Sequence, residues 1–188
     1  MTSRIYICFS RFATEPGGFL LRRCDVLNFG IYEILTLKSI GVYAMEINEL
    51  ISSKDVITNL KSTSKKQALQ ELAGQLAERV DGNKREIFDV LMDREKLGTT
   101  GVGNGVALPH ARSMDVDRVC GAFILLESPV DFGSVDKLPV DVIFGLFAPE
   151  NAGVDHLKAL AIVSRTLRDS SICAKLRANP DQQTLFTI

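Results

Sequence analysis

RVCGAFILL (residues 118–126) and VDVIFGLF (residues 140–147) are the two stretches whose reading decides the fold. Both are short, nearly unbroken apolar runs rich in β-branched and aromatic residues, which is the pattern of strands in the middle of a sheet. Neither approaches the 18 or so apolar residues that a membrane span needs. Helical patterns lie on either side. Ser64 is placed to cap a helix over residues 65–80, with Ala68, Leu69, Leu72, Leu76 and Val80 on one face. Asn83 is placed to cap a second, in which Ile87, Val90, Leu91 and Leu97 recur at helical spacing. After Asn151 an amphipathic pattern through Leu157, Leu160, Ala161, Val163, Ser164 and Leu167 predicts a long helix to about residue 168. A shorter helix over 171–177 and a terminal turn capped by Asp181 follow. The order helix, helix, strand, strand, helix, helix predicts an α/β fold: a mixed central β-sheet flanked by helices on both faces, in a single domain.

Composition bounds the function. The 188 residues are 46% apolar and 24% charged, and 22 basic side chains face 23 acidic ones. Binding nucleic acid through phosphates needs a basic excess or stripe, and this near balance argues against it. Cys8, Cys24, Cys120 and Cys173 form no CxxC pair, and two histidines do not fill a zinc site, so no metal and no cofactor is expected. Free thiols and the lack of a recognisable targeting signal point to the cytoplasm.

Residues 1–44 differ from the remainder. They hold all three tyrosines and four of the ten phenylalanines, with Pro16-Gly17-Gly18 breaking the middle. Short strands over 5–9 and 31–37 fit the pattern, but no long amphipathic element does. Two readings stand: an accessory hairpin-like extension, or a stretch outside the working protein, which would then start at Met45. The second is favoured by the change in composition, and it leaves residues 45–188 as the functional domain.

Chemistry concentrates in REKLGTTGVGNGVALPHAR, residues 94–112. Gly101, Gly103 and Gly105 let the backbone bend closely around something. Pro109 restrains Leu108 and presents His110 on a constrained turn, where a neutral imidazole is a candidate nucleophile near pH 7. From the residues alone, His110 is equally a loop histidine satisfied by backbone contacts. The glycines spell GxGxG rather than a dinucleotide fingerprint, and no Walker lysine follows. His156, near the start of the long helix, reads alone as an exposed helix-start histidine. Arg94 reads as a solvated residue where positive charge suits a helix C-terminus. Asp93 and Glu95 read as solvated charges.

The same segment closely resembles the active-site motif of the enzyme IIA domains of the bacterial phosphotransferase system, mannitol/fructose class, and most of all their nitrogen-regulatory branch. The likeness runs from Met45 to near the C-terminus and leaves residues 1–44 unmatched. It implies that His110 accepts a phosphoryl group through Nε2, that His156 is the second active-site histidine, and that Arg94 stands near the phosphoryl group. Arg112 is ambiguous, because relatives carry other residues there. The glycine loop is expected to offer N–H groups to the phosphoryl oxygens, and the surroundings of the site to be apolar so that a partner protein can dock. The implied function is a phosphoryl-carrier regulatory protein that takes phosphate from a phosphorylated HPr-type carrier and controls target proteins by its phosphorylation state. The alternatives are a fructose- or mannitol-specific enzyme IIA that passes phosphate to a IIB domain, and a regulator that binds without phosphotransfer. Neither nucleic acid nor membrane insertion enters.

Overall fold

The computed structural model describes residues 45–114 and 116–188. The strands expected within residues 1–44 lie outside the described residues.

The two decisive apolar runs become the long strands β5 (Cys120–Val130) and β6 (Val140–Pro149), paired antiparallel with Phe123 opposite Phe144 and Ile124 opposite Ile143. Around them stand β1 (Val56–Leu60), β2 (Gly101–Gly103), β3 (Val106–Ala107) and β4 (His110–Ser113). The order across the sheet is β1-β5-β6-β3-β2, and β4 also pairs with β6. β1 runs parallel to β5, and β3 and β4 run parallel to β6, whereas β2–β3 and β5–β6 are antiparallel, so the sheet is mixed. β5 and β6 are buried along most of their length, which is why they read as continuous apolar runs rather than alternating ones.

The helices among the described residues are α1 (Ile47–Leu50), α2 (Lys65–Val80), α3 (Lys84–Lys96), α4 (Gly153–Leu167), α5 (Ser170–Ala178) and α6 (Gln182–Thr187). Three caps sit where the sequence places them. The Ser64 side chain accepts from the Gln67 N–H, Asn83 from Arg85, and Asp181 from Thr184. One face of the sheet packs on α2 and α3 through Ala68, Leu69, Leu72, Leu76, Ile87 and Leu91. The other face packs on α4, α5 and α6 through Ala159, Val163, Leu167, Leu176 and Leu185. Helices therefore cover both faces, as expected. No helix of the described residues is long and apolar enough to cross a membrane.

Two expectations change. Leu97 follows the end of α3 and is 86% exposed, because the chain leaves the helix there for Gly98. In α4 the core stripe is His156, Ala159, Val163 and Leu167, while Leu157 is 62% exposed. The helix is rotated from the predicted phase, and its second apolar edge is left open.

Candidate functional site

His110 opens β4 rather than sitting in an irregular loop. Leu108 and Pro109 interrupt the edge formed beside β6 by β3 and β4, and pairing resumes at His110 opposite Leu146. Alternation along the strand sends Ala111 into the core beneath α2 and α3. His110 and Arg112 thereby share the opposite face, the one α4 covers. α3 approaches this edge from one side of the sheet and α4 from the other, so Arg94 and His156 converge on it.

The hydrogen bonds define the protonation of both rings. His110 Nδ1 lies 2.9 Å from the Leu108 carbonyl oxygen, which can only accept, so Nδ1 carries the proton. Nε2 then holds a lone pair, and the Arg94 Nε–H donates to it at 3.2 Å. Arg94 Nη1 also donates to the Gly98 carbonyl at 3.1 Å, which ties the guanidinium to the end of its own helix. Burial holds the His110 pKa below the usual histidine value; the Leu108 carbonyl opposes this and the Arg94 charge adds to it. His110 is therefore neutral at pH 7, with Nε2 available.

His156 is 3% exposed, not an open helix-start side chain. Its Nδ1 accepts from Arg112 Nε–H at 3.1 Å, which leaves the ring proton on Nε2. That Nε2 is buried with no hydrogen-bond partner among the described residues. Burial, with the Arg112 charge and then His110 adding, pushes the His156 pKa down to about 4. The two ring centroids stand 5.6 Å apart.

A cleft of about 480 Å³ opens between Arg94, Leu97, His110, Arg112 and His156. A second, of about 330 Å³, reaches His110 from the side of Thr99, Val102, Leu160 and Ser164. Exposed apolar side chains surround both: Leu97 and Val102 line them, and Val154 and Leu157 flank His156 on α4. The expected apolar surroundings are present. A larger apolar cavity of about 540 Å³ lies elsewhere, against Ile51, Phe123, Phe144 and Leu185, and neither histidine lines it.

The three glycines do not join this constellation. None lines either histidine cleft. A Cβ on Gly101 would run into Ser134, one on Gly103 would lie 3.1 Å from the Asp136 carboxylate, and one on Gly105 would lie 2.8 Å from that of Asp141. Gly103 and Gly105 have φ of +98° and +76°. They allow the tight β2–β3 turn to pack against residues 134–141, where Asp136 accepts from the Asn104 N–H at 2.8 Å. The backbone does bend closely around something, and that something is the protein itself.

Glu95 corrects another expectation. It is 6% exposed, accepts from Lys65 Nζ at 2.6 Å and from the Thr100 hydroxyl at 2.6 Å, and meets the Thr100 N–H. This carboxylate joins the start of α2 to the end of α3, next to Arg94. Asp93, by contrast, is exposed and pairs with Lys96 at the surface. The only signal for Glu95 in the sequence was its helical phase, four residues after the buried Leu91.

The model of the family described as "Phosphoenolpyruvate-dependent sugar phosphotransferase system, EIIA 2" matches residues 49–188.

The chain belongs to this family.

Its members are phosphotransferase-type phosphoryl carriers. The nitrogen regulatory protein of Bradyrhizobium diazoefficiens is 50% identical over 144 residues, covering 77% of this chain and 94% of that protein. The nitrogen regulatory protein of Escherichia coli K12 is 32% identical over 145 residues, with 77% and 89% covered. The crystal structure of the nitrogen regulatory protein IIA-Ntr from Neisseria meningitidis superposes with a TM-score of 0.72 at 33% identity, covering 75% of this chain and 97% of that one. The mannitol IIA from Escherichia coli shares the fold, with a TM-score of 0.63 at 21% identity over 73% of this chain and 96% of that one.

Proposed function

We propose that this EIIA 2 protein accepts a phosphoryl group on Nε2 of His110 from a phosphorylated HPr-type carrier and regulates partner proteins through its phosphorylation state. The observation that carries this reading is the Leu108 carbonyl at 2.9 Å from Nδ1, which leaves the Nε2 lone pair as the nucleophile. In the transfer, that lone pair forms a new N–P bond in line with the N–P bond that breaks, and the bonding pair returns to the donor's imidazole. No proton needs to enter or leave His110, since Nδ1–H stays on the Leu108 carbonyl. The phosphoryl group brings negative charge on three equatorial oxygens. Arg94 shifts from the lone pair to one of them, and His156 Nε2–H, which has no partner among the described residues, donates to another. The apolar side chains around the clefts suit docking of a protein donor.

The regulatory role is favoured by the 50% identity to a nitrogen regulatory protein. The fructose-specific EIIA component of Haloferax volcanii is 35% identical over only 109 residues, covering 58% of this chain and 70% of that protein, and keeps open the second reading, in which phosphate passes to a IIB domain. Incubation with phosphorylated HPr-type carriers, followed by mass-spectrometric mapping of the label, tests the transfer. Label on His110 supports the proposal, and no label from any such donor overturns it. Rapid discharge by a fructose- or mannitol-type IIB domain would favour the transport reading instead.

A further inference from the structure

Arg112 and His156 belong to different elements, 44 positions apart, and make one well-formed contact. Arg112 is two residues beyond His110 on β4, so both side chains leave the strand on the face towards α4. Its Nε–H meets His156 Nδ1 at 3.1 Å. A guanidinium has donors only and does not lose its proton in a protein, so the ring nitrogen facing it has to be the acceptor. The alternative tautomer would set an N–H against an N–H. Nε2 of His156 is then obliged to carry hydrogen, and it does so buried and without a partner among the described residues. An unpaired buried donor costs free energy, and here it stands in the ring neighbouring the nucleophilic histidine.

We infer that Arg112 is a positioning residue that holds His156 as a neutral Nε2–H donor before the phosphoryl group arrives. The inference rests on the phosphoryl-carrier reading for its purpose, although the tautomer itself does not depend on that reading. Arg112 acts through His156 and does not itself bond to phosphorus. Preorganisation of this kind matters because a donor fixed in advance needs no reorientation during transfer. The sign of the charge matters as well: a cation against Nδ1 disfavours a second proton on the ring, so His156 stays a donor at one nitrogen only.

The test uses the full-length chain labelled with 15N, with the histidine ring nitrogens read by long-range 1H–15N correlation at pH 7. Wild-type His156 is expected to show a single Nε2–H tautomer. In Arg112→Met the His156 pattern should move towards a mixture of tautomers while the His110 pattern stays, and phosphoryl acceptance should slow by roughly three- to tenfold. Outright loss of the donor in His156→Ala should slow it by about 100-fold. Arg112→Lys should recover part of both effects, since it restores the charge but not the planar geometry. An unchanged His156 tautomer in Arg112→Met with a native-like amide spectrum overturns the inference, and so does an unchanged rate beside a changed tautomer. If the wild-type protein took no label, the phosphoryl-carrier reading would fail, and the purpose assigned to Arg112 with it. The tautomer measurement would still decide whether Arg112 orients the ring.

Discussion

The Nε–H of Arg94 donates to Nε2 of His110 at 3.2 Å, so the guanidinium rests on the lone pair assigned to attack phosphorus. On the proposed function, the free protein holds the nucleophilic nitrogen in a capped state, and transfer requires Arg94 to exchange a nitrogen partner for a phosphoryl oxygen. A charge-assisted bond to oxygen is stronger than one to a neutral imidazole, so the exchange runs downhill once the donor has docked.

Replacing the nucleophile tests the assignment most directly. His110→Ala should abolish acid-labile phosphorylation and leave the circular dichroism spectrum and melting temperature close to wild type, because His110 is half-buried at an edge strand and outside both cores. Because burial holds the His110 pKa below the ordinary histidine value, the wild-type acceptance rate should lose less than half as pH falls from 8 to 6.5. A rate that has already halved at pH 6.5 would contradict a lowered pKa.

His156 should make stability depend on pH with a defined sign. Its folded pKa is about 4 against 6.5 for a free histidine, so the unfolded chain binds more protons between those limits. Its contribution is complete above about pH 6.5 and is lost as pH falls towards 4. The loss should be about 1–3 kcal/mol. Urea denaturation of wild type and His156→Gln across this window reads the difference. Parallel curves would mean that His156 is not buried as a neutral ring.

Glu95 should prove a structural anchor for Arg94. Glu95→Ala removes the carboxylate from Lys65 and from both Thr100 donors, at a cost of about 2–4 kcal/mol. Phosphoryl acceptance should fall too, since the end of α3 that carries Arg94 loses its tie to the chain at Thr100. Chemical denaturation and labelling rates, measured in the same buffer, check both. A stable variant with an unchanged rate would show that Arg94 keeps its place through Gly98 and His110 without Glu95.

The glycine turn separates folding from chemistry. Gly103→Ala places a Cβ at φ +98° and 3.1 Å from Asp136, and should cost about 1–3 kcal/mol. Labelling per folded molecule should be close to wild type, because Gly103 lines neither histidine cleft. A stable Gly103→Ala protein with poor labelling would return the glycines to the phosphoryl site.

A chain beginning at Met45 should fold and accept phosphate like the full chain. The family match starts at residue 49, and the sites named above all lie beyond it. Thermal melting with labelling rates checks this. A midpoint lower by more than about 10 °C would assign residues 1–44 a part in stability.

Local signals carried much of this protein in the sequence itself. Ser64, Asn83 and Asp181 were legible as caps because a cap is made within three residues of the backbone it satisfies. β5 and β6 were legible because burial on both faces demands an unbroken apolar run. β1, β2, β3 and β4 were not, since strands of two to five residues with polar or glycine members carry too little periodicity. His110, His156 and Arg94 stood out through a resemblance, not through any local physics that distinguishes a nucleophile from a loop histidine. Only the tertiary structure decided that Arg112 faces His156, that Glu95 is buried against Lys65, and that the glycines pack on residues 134–141. Each depends on partners 30 or more positions away, brought together by sheet register and by the rotation of α4. Hydrogen bonds and close approaches at that range are set by how the elements pack, and residue order along the chain does not record it.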